Sequence, residues 1–377
     1  MKKVSTRKLV ELVASVWEIR KIPVKVTNEE IDQLPLKNRP FLYASGNWGP
    51  GYGMVKALAS RKEAIETTVG ELANKVANKS REINFVAGNV TGGVIPGWVL
   101  SNKLEKIIGK LVEFVYVGGS RTGSGKDASI ITVDKIMLKG VICSLYQAIY
   151  GKARFDFIAG MAPGGMVPGY ELSRLFKVPF VYVREARKKG GQKEMITGTE
   201  GNPYIKKGDT ALVIGQIQDI ERTSAIGCEI LKDEGYNSIN INDKFGVFGD
   251  NVLTALKGVE LIRLPLSPAE MVGVDVEELV NFAQTTCNSA QALRDAGCKV
   301  NLAATILYYD NPHANEMLKD NGIEIVYLFT LPQLLDEIER QGVYPTDYVQ
   351  DFRDFLAHPL DWQAARGLKP VKGGGTL

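Results

Sequence analysis

Histidine is nearly absent from this 377-residue sequence: His313 and His358 are its two copies. Cysteine is scarce as well, and Cys143, Cys228, Cys287 and Cys298 lack the close clustering of a zinc site. The thiols therefore read as reduced residues of a cytoplasmic protein. A surplus of one charge is also missing. The net charge is only +3, which argues neither for nucleic acid nor for an acidic membrane surface as the partner, so no membrane partner is expected and nucleic acid is not favoured. No segment is long and apolar enough to span a bilayer. The opening MKKVSTRKLVELVASVWEIR has the positive residues of a signal peptide, but Glu11, Glu18 and Arg20 interrupt any apolar core. Leu9, Leu12, Val13 and Val16 instead follow helical spacing. With 45% hydrophobic and 24% charged residues the chain can bury a sizeable core, and its length suits two domains.

What is present is a pattern of glycines. After a capping box, Thr27-Asn28-Glu29-Glu30, that predicts a second short helix, prolines and glycines between Pro35 and Gly53 make a turn-rich stretch, and Lys56 to Asn78 reads as helix. A repeat follows. Ile83 to Gly88 reads as a buried strand, then the loop Asn89-Val90-Thr91-Gly92-Gly93-Val94-Ile95-Pro96-Gly97, then a helix. Phe155 to Gly160 repeats the strand, with the loop Met161-Ala162-Pro163-Gly164-Gly165-Met166-Val167-Pro168-Gly169 and another helix. Each copy continues into a strand containing Val-Tyr-Val, Phe114 to Val117 and Phe180 to Val183. Later, Ala211 to Ile214 and a shorter, weaker strand, Val274 to Val276, each lead through a loop into a helix. These alternations predict an α/β fold: two cores, each a mainly parallel sheet with helices on both faces. Ligands of such sheets sit at the carboxyl ends of the strands, where the glycine loops fall.

Together the segments resemble type I phosphoribosyltransferases of the orotate kind from Arg39 to Gly342, as a fused, divergent tandem. Ser45-Gly46 with Gly49-Pro50-Gly51-Tyr52 resembles the family's hood segment, the two Gly-Gly loops its pyrophosphate loop, and Val181 to Gly198 its mobile catalytic loop. Ala292 to Leu335 is similar to its last strands and closing helix. The order of parts favours nesting over the alternative of two sequential cores with the first truncated, which would leave the final strands without a sheet. Residues 1–130 and 251–345 would form a first core with an N-terminal hood, 131–250 a second core, and 346–377 an extension with a flexible tail.

The resemblance implies transfer of ribose 5-phosphate from phosphoribosyl pyrophosphate to a nucleobase-like acceptor, with Mg2+ accompanying the donor. That chemistry needs an acidic pair near the ribose, backbone amides for the 5-phosphate and cations for the pyrophosphate. In the first core the match puts Glu277 and Glu278 on the acidic pair and metal, Thr91, Gly92 and Gly93 on the pyrophosphate loop, and Ala283, Gln284 and Thr285 on the phosphate loop. In the second, Gly215 and Gln216 replace the acids, and Asp219 and Glu221 would repel a phosphate. The catalytic loops show the reverse: Arg184 and Lys188 keep the family's cations, and the loop Gly118 to Lys126 loses them. Orotate-type enzymes are dimers whose loops close over the neighbour's site, so the resemblance implies one composite site, with self-association of the chain as a further expectation. Ser45, Trp48, Tyr52 and Asn311 would line the base pocket, and Asn311, in place of the family's arginine, argues against orotate itself. The competing readings are a solvated helix start at Glu277-Glu278, a solvated basic run at the loop of Arg184 and Lys188, and a fold-retaining nucleotide sensor, regulator or assembly subunit without catalysis.

Overall fold

The computed structural model describes residues 4–43, 47–118, 129–186, 195–216, 220–241, 271–310 and 312–369. In chain order these form α1 (Thr6–Ala14), β1 (Trp17–Ile19), β2 (Phe41–Leu42), β3 (Trp48–Gly49), β4 (Gly51–Gly53), α2 (Lys62–Lys79), β5 (Phe85–Asn89), α3 (Val94–Ile108), β6 (Glu113–Gly118), β7 (Ser129–Val133) and α4 (Lys135–Ile149). Then come β8 (Phe157–Met161), α5 (Met166–Phe176), β9 (Phe180–Val183), β10 (Ile196–Thr197), β11 (Thr210–Ile214), α6 (Ile220–Asp233) and β12 (Asn237–Asn240). The last are β13 (Val272–Val280), α7 (Gln284–Asp295), β14 (Lys299–Tyr308), α8 (Pro312–Asp320), β15 (Glu324–Thr330), α9 (Leu331–Arg340), α10 (Thr346–Ala357) and α11 (Pro359–Ala365).

Two compact units result. One holds residues 1–4, 56–185 and 196–331, the other 5–55, 186–195 and 332–377. The first unit contains two sheets. A six-stranded sheet runs β15-β14-β13-β5-β6-β7 and a five-stranded sheet β10-β9-β8-β11-β12. Every pairing is parallel except β6 with β7 and β9 with β10 at the edges. The six-stranded sheet thus takes strands from both sides of the segment that builds the other. The central strands β5, β8 and β11 are mostly apolar and buried, as strands covered on both faces require, whereas β13 between β5 and β14 carries Asp275, Glu277 and Glu278. Buried Phe85, Val115, Val117, Leu293, Val300 and Ala303 lie within the core of the larger sheet.

Helices α2 and α3, of the larger sheet, meet α5 of the smaller. Glu66 on α2 pairs with Lys103 of α3 at 2.7 Å and Arg174 of α5 at 3.2 Å, and Tyr170 donates to it. Trp98 Nε1 donates to Glu171 at 2.7 Å. Burial opposes ionisation of Glu66, but Lys103 and Arg174 outweigh it and hold the carboxyl below its usual range.

The second unit joins the two ends of the chain. β1 pairs with β4 and β2 with β3, both antiparallel. Trp17 packs on Phe352, Phe355 lies against Tyr43 and Trp362, and Tyr344 donates to Trp17 O.

Three local expectations need correction. The Thr27 box closes as expected, with Glu30 accepting from the Thr27 N–H, but it opens a single 3-10 turn, Ile31–Gln33. The short strand at Val274 to Val276 is the nine-residue β13, which is flanked by β5 and β14. Glu277 and Glu278 consequently stand in a strand and not at a solvated helix start.

Candidate active site

The two glycine loops open α3 and α5 with matching contacts. Gly93 approaches Val276 O and Gly165 approaches Ile214 O so closely that any Cβ would collide. Each loop carries a cis peptide at its third residue, Val90-Thr91 and Ala162-Pro163. The loops then diverge in what lies over them. A side chain at Gly92 would overlap the Glu278 carboxylate, whereas Gly164 faces the aliphatic part of Gln216.

Glu277 and Glu278 lie near the carboxyl end of β13. Glu277 is 5% exposed, and Glu278 buries Oε2 without a hydrogen-bond partner among the described residues. The chain turns through Asn281 and Phe282 into α7, with Ala283 at φ +60° in the left-handed region. Its N-cap residue, Ala283, makes no side-chain capping bond, and first-turn amides of such a helix form the kind of N-terminus that takes an anion. Ala283 thus holds a corner that glycine ordinarily supplies.

Behind both loops lies Asp275, 1% exposed. Asn89 Nδ2 donates to its two oxygens at 3.1 and 2.9 Å, and Ser289 Oγ donates at 2.6 Å. Burial pushes this carboxyl up to about 7 although both donors favour the anion.

The cation comes from the other sheet. Arg184 follows β9 and is 7% exposed. Its Nη2 donates to Thr91 Oγ1 at 3.0 Å and to Tyr182 OH at 3.4 Å, and Nη1 reaches Thr197 Oγ1 at 3.4 Å. Its Nε is buried without a partner among the described residues. Burial raises the Tyr182 phenol to about 12, with Arg184 lowering it and Glu278 raising it, so that hydroxyl lies within the fields of both. Thr91, Gly92, Glu278, Tyr182 and Arg184 therefore converge.

The equivalent place in the smaller sheet is built differently. By strand register Gly118 stands where Arg184 does, and Pro163 where Thr91 does. Glu185, next to Arg184, accepts from Gln216 Nε2 at 2.8 Å and from Arg222 at 3.3 Å. Gly215 has no room for a side chain, being hemmed in by Ile220 O, Thr223 and Ser224.

Of the remaining expected residues, Gly93 and Thr91 lie in the first loop, and Gln284 and Thr285 in the first turn of α7. Trp48 and Tyr52 belong to the second unit, where Trp48 bonds Gln363 and Lys369 O, and Tyr52 stacks on Tyr43. Lys188, Ser45, Asn311, Asp219 and the loop 119–128 lie outside the described residues. Tyr182, Thr197, Asn89, Asp275 and Ser289 were not singled out from sequence. Strand alternation carried a signal for Tyr182, which falls two residues before Arg184 and so on its side of the chain.

The chain matches no family model. It is 31% identical over 91 residues to an orotate phosphoribosyltransferase of Ruegeria sp. (strain TM1040), covering 24% of this chain and 40% of that protein. The orotate phosphoribosyltransferase of Roseobacter denitrificans matches with the same identity and coverage, 31% over 91 residues. The chain thus spans about two fifths of the length of these curated relatives. Among solved structures, that of Leishmania donovani UMP synthase overlaps 94% of this chain and 42% of its own, at 12% identity and a TM-score of 0.39.

Proposed function

We propose, for a chain similar to orotate phosphoribosyltransferases and built on two cores of the type I phosphoribosyltransferase kind, that it transfers ribose 5-phosphate from phosphoribosyl pyrophosphate to a nucleobase-like acceptor. One composite site does this, in the first core, with the second core nested inside it as a built-in partner. The observation that carries the reading is the hydrogen bond from Arg184 of the smaller sheet to Thr91 in the loop of the larger, beside Glu278.

In this reading the amides at the start of α7 receive the 5-phosphate, and Glu277 and Glu278 accept from the ribose hydroxyls. Arg184, with Nε unpartnered among the described residues, lies against the pyrophosphate. Negative charge grows there as the bond to the sugar breaks, so the guanidinium binds the transition state more strongly than the donor. From the sequence resemblance alone, Lys188 would add a second cation, and Ser45, Trp48, Tyr52 and Asn311 would serve the base. Magnesium fits this donor set. It takes one or two carboxylates and fills its shell with substrate oxygens and water, and the buried Oε2 of Glu278 is such a donor. Glu277 and Glu278 would hold it, and it would offset charge on the donor's phosphates.

One observation favours a second reading, a nucleotide sensor, regulator or assembly subunit without turnover: the loop 281–285 contains no glycine. Incubation with phosphoribosyl pyrophosphate, magnesium and a panel of pyrimidines, purines and nicotinamide-like rings separates the two. Pyrophosphate release with one base supports transfer. Donor binding with no base consumed favours the sensor.

A further inference from the structure

We propose that Asp275 is a positioning residue that couples the two anion-binding loops of this site, and this rests on the reading of the first core as the donor site. Asn89, whose amide donates to both Asp275 oxygens, is the last residue of β5 and directly precedes Val90-Thr91-Gly92-Gly93. Its carbonyl also accepts from the Gly93 N–H, closing that loop. Ser289, the other donor, sits in the second turn of α7, behind the amides assigned to the 5-phosphate. Asp275 itself lies two residues before Glu277 on β13. One carboxylate therefore ties together the pyrophosphate loop, the phosphate-loop helix and the strand bearing the acidic pair.

The molecule contains its own control. In the smaller sheet Val213 takes the place of Asp275: Val213 pairs with Ala159 as Asp275 pairs with Ala87. Met161 ends β8 as Asn89 ends β5. Gly227 follows Val213 by the same interval that separates Ser289 from Asp275. These three also meet, since a Cβ on Gly227 would lie 2.6 Å from Met161 Sδ and 2.8 Å from Val213 Cγ1. The same junction of strand, strand and helix is thus built from Met, Val and Gly in one core and from Asn, Asp and Ser in the other. The fold does not demand the polar version, and a buried carboxylate is costly to desolvate. Its three short, directional bonds provide what the apolar trio lacks, a fixed orientation for Asn89 and for α7. The polar trio occurs in the core that keeps Glu277 and Glu278, and the apolar trio in the core that has Gly215 and Gln216 instead.

The test transplants the apolar trio. The Asn89→Met/Asp275→Val/Ser289→Gly variant keeps the glycine because the methionine and valine leave no room for a Cβ. Three quantities are read: unfolding temperature, amide hydrogen exchange at residues 91–94 and 284–287, and affinity for phosphoribosyl pyrophosphate with magnesium. The expected result is an unfolding temperature unchanged or higher, exchange in both loops faster by about tenfold or more, and donor affinity about tenfold or more weaker, as for lost outer-shell partners of a binding site. Unchanged loop exchange and affinity would overturn the proposal. So would losses of both that merely track a fall in unfolding temperature, since ordinary core support would do that. If the wild type binds no donor, the reading of the site falls, yet faster loop exchange in the variant still supports the coupling and unchanged exchange still overturns it. Should the triple variant not fold, Ser289→Ala is read in the same way: α7 exchanging faster at an unaltered unfolding temperature supports the coupling, and wild-type exchange overturns it.

Discussion

Arg184 and Glu185 are adjacent, yet one bonds Thr91 of the larger sheet and the other Gln216 and Arg222 of the smaller. Alternation along an extended chain sends neighbours to opposite sides, so a single step in sequence separates the proposed composite site from its counterpart. Replacing Arg184 and Lys188 with Ala should lower turnover on an accepted base by ~100-fold or more while changing donor affinity far less. Normal turnover in that variant would make the loop a solvated surface run. Ala283 gives a second forecast at this scale. A left-handed corner strains an alanine by roughly 1–2 kcal/mol, and glycine's greater freedom when unfolded returns part of that. Ala283→Gly should therefore raise stability by up to about 1 kcal/mol and leave donor binding intact, as denaturant unfolding and calorimetry would register. A fall in stability would show that the methyl group packs better than the turn is strained.

At the scale of elements, Glu66 ties α2 by ion pairs to both α3 and α5. Its folded-state pKa is lowered, burial notwithstanding, by Lys103 and Arg174. Its stabilisation is therefore complete above the ordinary glutamate range and is lost as pH falls through the lowered value. Glu66→Gln should destabilise the protein near neutrality and flatten the acid limb of its stability profile. An unchanged acid limb would assign acid sensitivity to other groups. The strand-to-helix turns give a steric forecast. Gly93→Ala and Gly165→Ala should each cost about 1–3 kcal/mol, because backbone carbonyls of the neighbouring strand occupy the space a methyl would need. Two such losses of similar size would bear on the likeness of the two turns independently of any ligand.

For the whole molecule, the parts legible in sequence were those encoded locally. Apolar runs ending in glycine loops at Gly88 and Gly160 marked parallel strands feeding helices, because both the run and the turn reside in a dozen consecutive residues. The antiparallel edges β7 and β10 were not legible, since strand pairing is decided by partners elsewhere in the chain. Neither was the unit in which Tyr344 bonds Trp17 O, from opposite ends of the sequence. In the candidate site, Glu277, Glu278 and Arg184 could be named because the resemblance points to charged positions. Asp275 was passed over, since its strand read as short and weak and its partners Asn89 and Ser289 lie far away in sequence. The central claim is that one donor site survives per chain. Calorimetric titration of the intact chain with phosphoribosyl pyrophosphate and magnesium tests it most directly, alongside Glu277→Ala/Glu278→Ala and Gln216→Ala variants. The account predicts one site per chain in the wild type, retained in Gln216→Ala and abolished in the double alanine variant. Two equivalent sites, or wild-type binding by the double variant, would contradict it.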